Sequence, residues 1–156
     1  MRDALIRRAV PADAARLTAI AHAAKRHWGY TDELIELWRD DLTVTASTID
    51  EDLVHCAVDG ARIAGFYALS CAEPEFALEH MWVDPPDMGG GLGAALLRHA
   101  LATVRAHGGT SLRIVSDPNA EGFYRRMGAE RIGEEPSAPA GRTLSLLVFP
   151  MSADDR

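Results

Sequence analysis

Residues 82–98 read Trp-Val-Asp-Pro-Pro-Asp-Met-Gly-Gly-Gly-Leu-Gly-Ala-Ala-Leu-Leu-Arg. A short apolar strand ends near Val83, Pro85 and Pro86 form a turn, and Gly89, Gly90, Gly91 and Gly93 lead into a helix rich in Ala and Leu. Glycine tolerates positive φ and, having no Cβ, lets an anion approach the backbone closely. The first N–H groups of a helix have no internal partners and together carry about half a positive charge. The stretch is therefore suited to a phosphate or pyrophosphate; the competing reading is a tight turn with no ligand. It is not a Walker loop, because no Lys-Ser or Lys-Thr follows the glycines. A dinucleotide fingerprint can be laid on Gly89, Gly91 and Ala94, but too little chain follows for a doubly wound sheet. Glu79 and His80 lie on the strand that leads to the glycines. Successive strand residues point to opposite faces, so at most one of the two faces a substrate directly. His80 has an intrinsic pKa near neutrality, and Glu79 shares the parity of Met81 and Val83. Trp28, Tyr30, Trp38 and Trp82 offer aromatic faces that attract cations, although Trp38 sits among apolar residues and reads as core. His22, His27, His55, His99 and His107 show no ligand spacing, and no metal site is expected.

The elements that must hold these residues follow from local pattern. Ala4 to Ala9 reads as a short strand ended by Pro11, and Asp13 sits in the first turn of a helix that continues to about Lys25. Thr31 caps a second helix with Leu34, Ile35, Leu37 and Trp38 on its apolar side. Leu42 to Thr48 is β-branched and reads as extended or loop. Asp52–Val58 and Arg62–Ala72 form a hairpin around Asp59-Gly60, and Phe76–Val83 is the strand before the glycines. The helix after them carries Leu96, Leu97, Ala100, Leu101 and Val104 on one stripe and ends at Gly108-Gly109. Ser111–Ser116 is a strand, Asp117-Pro118-Asn119 caps a short helix from about Ala120 to Met127, and Ala129–Glu134 and Arg142–Phe149 are two further strands. This order predicts one mixed α/β sheet with helices on both faces.

At 156 residues the chain is long enough for one domain. A net charge of −7 argues against a sequence-independent nucleic-acid binder and is compatible with an amine substrate. Cys56 and Cys71 show no metal or redox spacing and read as buried free thiols in a reducing compartment. The N-terminus has no apolar signal core and no stretch approaches the length of a membrane span, so a cytoplasmic location without membrane association is expected.

Two segments together resemble the GCN5-related N-acetyltransferase superfamily. Val83-Asp84-Pro85 through Met88-Gly89-Gly90-Gly91-Leu92-Gly93-Ala94-Ala95-Leu96 is similar to its acetyl-CoA pyrophosphate loop: a Gln or Arg, two residues, Gly, one residue, then Gly or Ala. Asp117-Pro118-Asn119-Ala120-Glu121-Gly122-Phe123-Tyr124-Arg125-Arg126-Met127-Gly128-Ala129 is similar to its Asn-Ala-x-x-Phe-Tyr-x-x-x-Gly-Ala segment. Ile6 to Asp13 resembles its first strand and helix start, so the likeness spans nearly the whole chain. Met88 stands where Gln or Arg is frequent, and Gly90 where Arg or Lys is common. The loop thus lacks its usual cation, leaving backbone N–H groups and the helix dipole, with Arg98, Arg125 or Arg126 as other sources of charge. The departure also leaves open a catalytically silent acyl-CoA-binding or regulatory domain.

The resemblance implies a single domain over residues 1–150 with a tail at 151–156. Its sheet would be mixed, mostly antiparallel and flanked by helices on both faces. It implies acetyl-CoA as cosubstrate, no metal, and direct transfer of the acetyl group to a primary amine on a small molecule or peptide. Contacts to the cosubstrate are expected from Met81, Trp82, Val83, Met88, Gly89, Gly90, Gly91, Leu92, Gly93, Ala94, Asn119, Phe123, Tyr124 and Arg126. N–H groups around Met81 to Val83 would face the thioester oxygen, Tyr124 matches the general acid, and Glu79 or His80 would be the base, with a water chain as the alternative. The acceptor is expected at Trp28 and Tyr30, and a homodimer is compatible with the family.

Overall fold

The computed structural model describes residues 5–72 and 74–151. The chain forms two compact units, one from the chain up to Leu69 together with His80–Arg98, the other from Ser70–Glu79 together with the chain from His99 onward. The strands are β1 (Leu5–Arg8), β2 (Leu53–Asp59), β3 (Arg62–Ala72), β4 (Glu75–Val83), β5 (Ser111–Ser116), β6 (Glu130–Pro136) and β7 (Thr143–Pro150). The helices are α1 (Ala14–His27), α2 (Asp32–Leu37), α3 (Ala46–Glu51), α4 (Leu92–Ala106) and α5 (Pro118–Arg126). The strands hydrogen-bond in the order β1-β2-β3-β4-β5-β7-β6. β1–β2, β2–β3, β5–β7 and β6–β7 are antiparallel, and β4–β5 is parallel. The sheet is therefore mixed, as the element order predicts, and mostly antiparallel, as the family resemblance implies. No helix among the described residues is long and apolar enough to cross a membrane.

In the first unit, Leu17, Ile20 and Ala21 of α1 bury against Ile35, Trp38, Val54 and Phe66. Thr31 caps α2 by accepting from Leu34 N–H at 3.3 Å. The β2–β3 hairpin closes at Asp59↔Arg62, with Gly60 at φ +66. The stretch expected to be extended or loop instead contains α3. Thr45, in an extended conformation, accepts from Thr48 N–H at 3.1 Å and starts the helix, and Ile49 buries its apolar side. The β-branched residues before Ala46 supply the extended lead and the cap rather than a strand. Gly65 permits close approach within this unit: a Cβ there would lie 2.9 Å from the Trp82 carbonyl oxygen and 3.1 Å from Leu96 Cδ1.

In the second unit, β5 alternates, with Leu112, Ile114 and Ser116 buried while Arg113 and Val115 are exposed. Leu147 and Phe149 of β7 add to the buried side. Gly108 takes φ +75 at the end of α4, whereas a Cβ on Gly109 would run into the Val104 and Phe76 side chains. Both thiols are free. Cys56 is buried, and that burial pushes its thiol pKa up. Cys71 is exposed, which corrects the expectation that both are buried, because it lies near the end of β3.

Candidate functional site

In the first unit β4 delivers the chain to Asp84, then a 3-10 turn at Pro85–Asp87, the loop Met88–Gly91, and α4 from Leu92. Asp84 is buried. Its N–H donates to the Ala64 carbonyl at 2.8 Å, and its Oδ2 accepts from Arg16 at 2.8 Å and from Arg62 at 2.6 Å. Arg62 also donates to Asp87 Oδ1 at 3.1 Å. Two guanidinium groups and a backbone bond thus fix the chain where it enters the loop, a role for Asp84 that the sequence reading did not assign. Gly89 and Gly91 both take φ +86, a region L side chains rarely occupy. The Gly91 carbonyl accepts the first helical bond, from Ala95 N–H at 3.1 Å. The N–H groups of Leu92, Gly93 and Ala94 are then the ones that helix geometry leaves without internal acceptors. A Cβ on Gly89 would meet no atom within 4 Å. Glycine is required there by conformation, and the space beside it is open to a phosphate.

The strand before the loop separates the two candidate bases. Glu79 is exposed and accepts from Ser70 Oγ at 2.7 Å. His80 is half-buried, and its Nδ1 accepts from Trp82 Nε1 at 3.1 Å. That bond puts the proton of a neutral His80 on Nε2, so its acceptor nitrogen is already engaged. The parallel β4–β5 ladder runs from Glu75↔Ser111 to Leu78↔Ile114, and β4 continues beyond it to Val83.

The aromatic residues assigned to the acceptor are gathered, but around a group of the chain itself. Lys25 Nζ lies 4.6 Å from the ring centroid of Trp38, 5.0 Å from Tyr30, 5.8 Å from Trp28 and 5.9 Å from Trp82. Trp28 packs on Trp82 at 5.6 Å, and Tyr30 meets Trp38 edge-on at 4.8 Å. Lys25 is 8% exposed and is the only lysine among the sixteen Lys and Arg residues of the chain. The faces of Trp28 and Tyr30 are thus turned to an internal ammonium group. Asp32, at the start of α2, pairs with Arg26 at 2.5 Å.

In the second unit, Asp117 caps α5 by accepting from Asn119 N–H at 2.8 Å and Asn119 Nδ2 at 2.9 Å, and Arg142 reaches its other oxygen at 3.4 Å. The capped helix buries Tyr124 and packs Phe123 edge-on against it at 5.4 Å. The Tyr124 hydroxyl makes no hydrogen bond among the described residues. Burial, helped by the Asp117 carboxylate, pushes its pKa well above the ordinary value, so the phenol stays protonated. Asn119 and Arg126 are exposed; Arg125 pairs with Glu121 at 3.5 Å. Arg98, in the first unit, is exposed on α4. The second unit also holds a cavity of about 280 Å³ lined by Ala77, Glu79, Arg113, Val115, Glu135 and Leu146, among others. Of these the sequence reading singled out only Glu79. The outward parity of Arg113 and Val115 in Ser111–Ser116 was the available signal for the rest.

Comparison with known proteins decides the family. The acetyltransferase (GNAT) domain profile matches residues 29–143. The chain belongs to the GNAT acetyltransferase family. Among solved structures, a GCN5-related N-acetyltransferase from Rhodopseudomonas palustris superposes with a TM-score of 0.82 at 22% identity, covering 97% of this chain and 98% of the other. The PaiA N-acetyltransferase from Thermoplasma acidophilum, in complex with coenzyme A, gives 0.77 at 17% identity over 96% and 99%. A GNAT family acetyltransferase from Brucella melitensis, in complex with acetyl-CoA, gives 0.63 at 25% identity over 92% and 96%. The chain matches no curated protein by sequence. The acetyltransferase family and its fold therefore stand as the sequence resemblance implies.

Proposed function

We propose that this GNAT protein is an acetyl-CoA-dependent N-acetyltransferase that moves the acetyl group directly to a primary amine, with residues 1–150 acting as one catalytic domain. The observation that carries the reading is the loop at Met88–Gly91. Two glycines at φ +86 lead directly into α4, whose first N–H groups have no acceptor within the helix. The residues present fit a pyrophosphate through backbone donors and the helix dipole, with no side-chain cation required in the loop.

When bound, acetyl-CoA supplies an acetyl group activated as a thioester. The chain's own groups then have separate tasks. A backbone N–H within Met81 to Val83, on the part of β4 beyond its last β5 pair, donates to the carbonyl oxygen as it gains negative charge. Glu79 takes the proton from the incoming ammonium, which at an ordinary pKa of about 10.4 is protonated at neutral pH. Glu79 is favoured over His80 because Trp82 N–H already occupies His80 Nδ1. Tyr124 donates a hydrogen bond to the departing sulfur. Its raised pKa keeps the donor in place, and makes a hydrogen bond cheaper than full proton transfer.

The test is a thiol-release screen with acetyl-CoA over classes of primary amine. Amine-dependent release of coenzyme A, with mass gain on the amine, supports the reading. Tight coenzyme A binding without release on any amine would make the protein a silent acyl-CoA-binding domain.

A further inference from the structure

The cavity of the second unit lies on the outward face of its strands. Ala77 of β4 pairs with Arg113 of β5, and Val115 of β5 pairs with Leu146 of β7. Glu135 reaches the same cavity from β6, and Glu79 from β4. Ala77 is small and leaves room beside Arg113. Val115 is 43% exposed, an apolar floor open to solvent. Eight arginines outside this cavity, Arg7, Arg16, Arg26, Arg39, Arg62, Arg125, Arg131 and Arg142, meet carboxylates. Among the described residues, neither the Arg113 guanidinium nor the Glu135 carboxylate has a hydrogen-bond or ion-pair partner. Among the same residues Glu79 meets only the Ser70 hydroxyl.

We propose that this cavity is the acceptor pocket and that it takes a small zwitterionic primary amine, one carrying a carboxylate as well as the amine to be acetylated. Two carboxylates and one guanidinium around an apolar floor complement that charge pattern: the ammonium meets Glu79 and Glu135, and the carboxylate meets the fork of Arg113. An amine without an acid group would leave Arg113 unused, and an anion without an amine would face two carboxylates. At about 280 Å³ the space is at the small end of ligand cavities, which suits an amino-acid-sized compound over a folded protein substrate. The Trp28 and Tyr30 faces are a poorer ammonium site, because Lys25 already holds them. The inference rests on the N-acetyltransferase reading, since Glu79 is the base of that reading.

Calorimetry on the full chain saturated with coenzyme A tests it without turnover. The probes are amino acids and the amines that result from removing their carboxyl group. The expected result is that at least one amino acid binds and its decarboxylated amine binds about tenfold or more weakly, the worth of a hydrogen-bonded charge pair. Arg113→Met is expected to weaken that amino acid by a similar factor and leave its decarboxylated amine unchanged; Glu135→Gln weakens both. Failure of every amino acid to bind, a preference for the decarboxylated amine, or amino-acid affinity unchanged in Arg113→Met overturns the proposal. So does a shift of either variant from dimer to monomer in sedimentation with amino-acid affinity intact, which makes the face a contact between copies. Loss of coenzyme A binding itself would instead count against the N-acetyltransferase reading, so the two failures are separable.

Discussion

At the scale of single residues, burial and partners decide what each polar group can do. Tyr124 lies in a buried position, yet none of the described residues bonds its hydroxyl. A protonated, unpartnered phenol at the end of a capped helix turn is a donor held in readiness. Tyr124→Phe is expected to lower kcat by about 10²-fold or more while acetyl-CoA affinity changes little. The sign of its pH behaviour follows from burial. The folded pKa is raised, so the phenol stays neutral at least to the ordinary value near 10, and the pH–rate profile should show no alkaline loss from Tyr124 below that pH. Wild-type kcat in the Phe variant would make Tyr124 a packing residue. Lys25 makes a different case, a buried charge set among ring faces. Lys25→Met keeps the apolar stem and removes the ammonium from four aromatic rings. The loss should be about 0.5–2 kcal/mol of stability, read as a lowered urea midpoint. An unchanged midpoint would show that the rings pack equally well without the charge.

At the scale of elements, the loop before α4 depends on backbone conformation more than on side chains. Gly91→Val forces a β-branched residue into φ +86, at about 1–2 kcal/mol for the left-handed region, well within the 5–15 kcal/mol a domain of this kind holds. The variant should therefore fold, with native circular dichroism, and lose measurable coenzyme A binding in calorimetry. A folded variant with native affinity would move the pyrophosphate off this loop. Much of this scale was legible in the sequence because the signals are local. Asp59-Gly60 specifies its own turn, Thr31 and Asp117 cap the helices that follow them, and Gly128 ends α5 at φ +112. α3 was missed because a six-residue helix led by β-branched residues carries little periodicity and is fixed by its Thr45 cap and the burial of Ile49. The cavity was not legible for a different reason. Its walls come from β4, β5, β7 and β6, and the β5-β7-β6 order is not the order of the chain. The Lys25 cage likewise joins α1, the turn before α2, Trp38 and β4, so spacing along any one element does not reveal it.

At the scale of the whole molecule, charge and ligand linkage can be read together. The net charge is −7, so the protein's field at long range opposes an anionic ligand such as acetyl-CoA. The loop itself carries no cationic side chain between Asp87 and Gly93, and what favours the pyrophosphate there is the short-range set of N–H donors at the start of α4. A ligand that binds only the folded state stabilises it by RT ln(1 + [L]/Kd), about 2.7 kcal/mol at a hundred times Kd. For a chain of this size each kcal/mol moves the melting midpoint by about 2–4 °C, so acetyl-CoA at that concentration should raise it by about 5–11 °C. Salt then distinguishes the two possible sources of binding energy. Raising ionic strength from about 0.01 M to 0.15 M shortens the screening length from about 30 Å to about 8 Å, which weakens the long-range repulsion and leaves backbone contacts at hydrogen-bond range in place. The acetyl-CoA-dependent rise in midpoint, taken against the ligand-free protein at each salt concentration, should therefore hold steady or grow over that interval. A rise that shrinks with salt would instead assign the pyrophosphate to exposed guanidinium groups, with Arg98 and Arg126 as the first to replace by Gln.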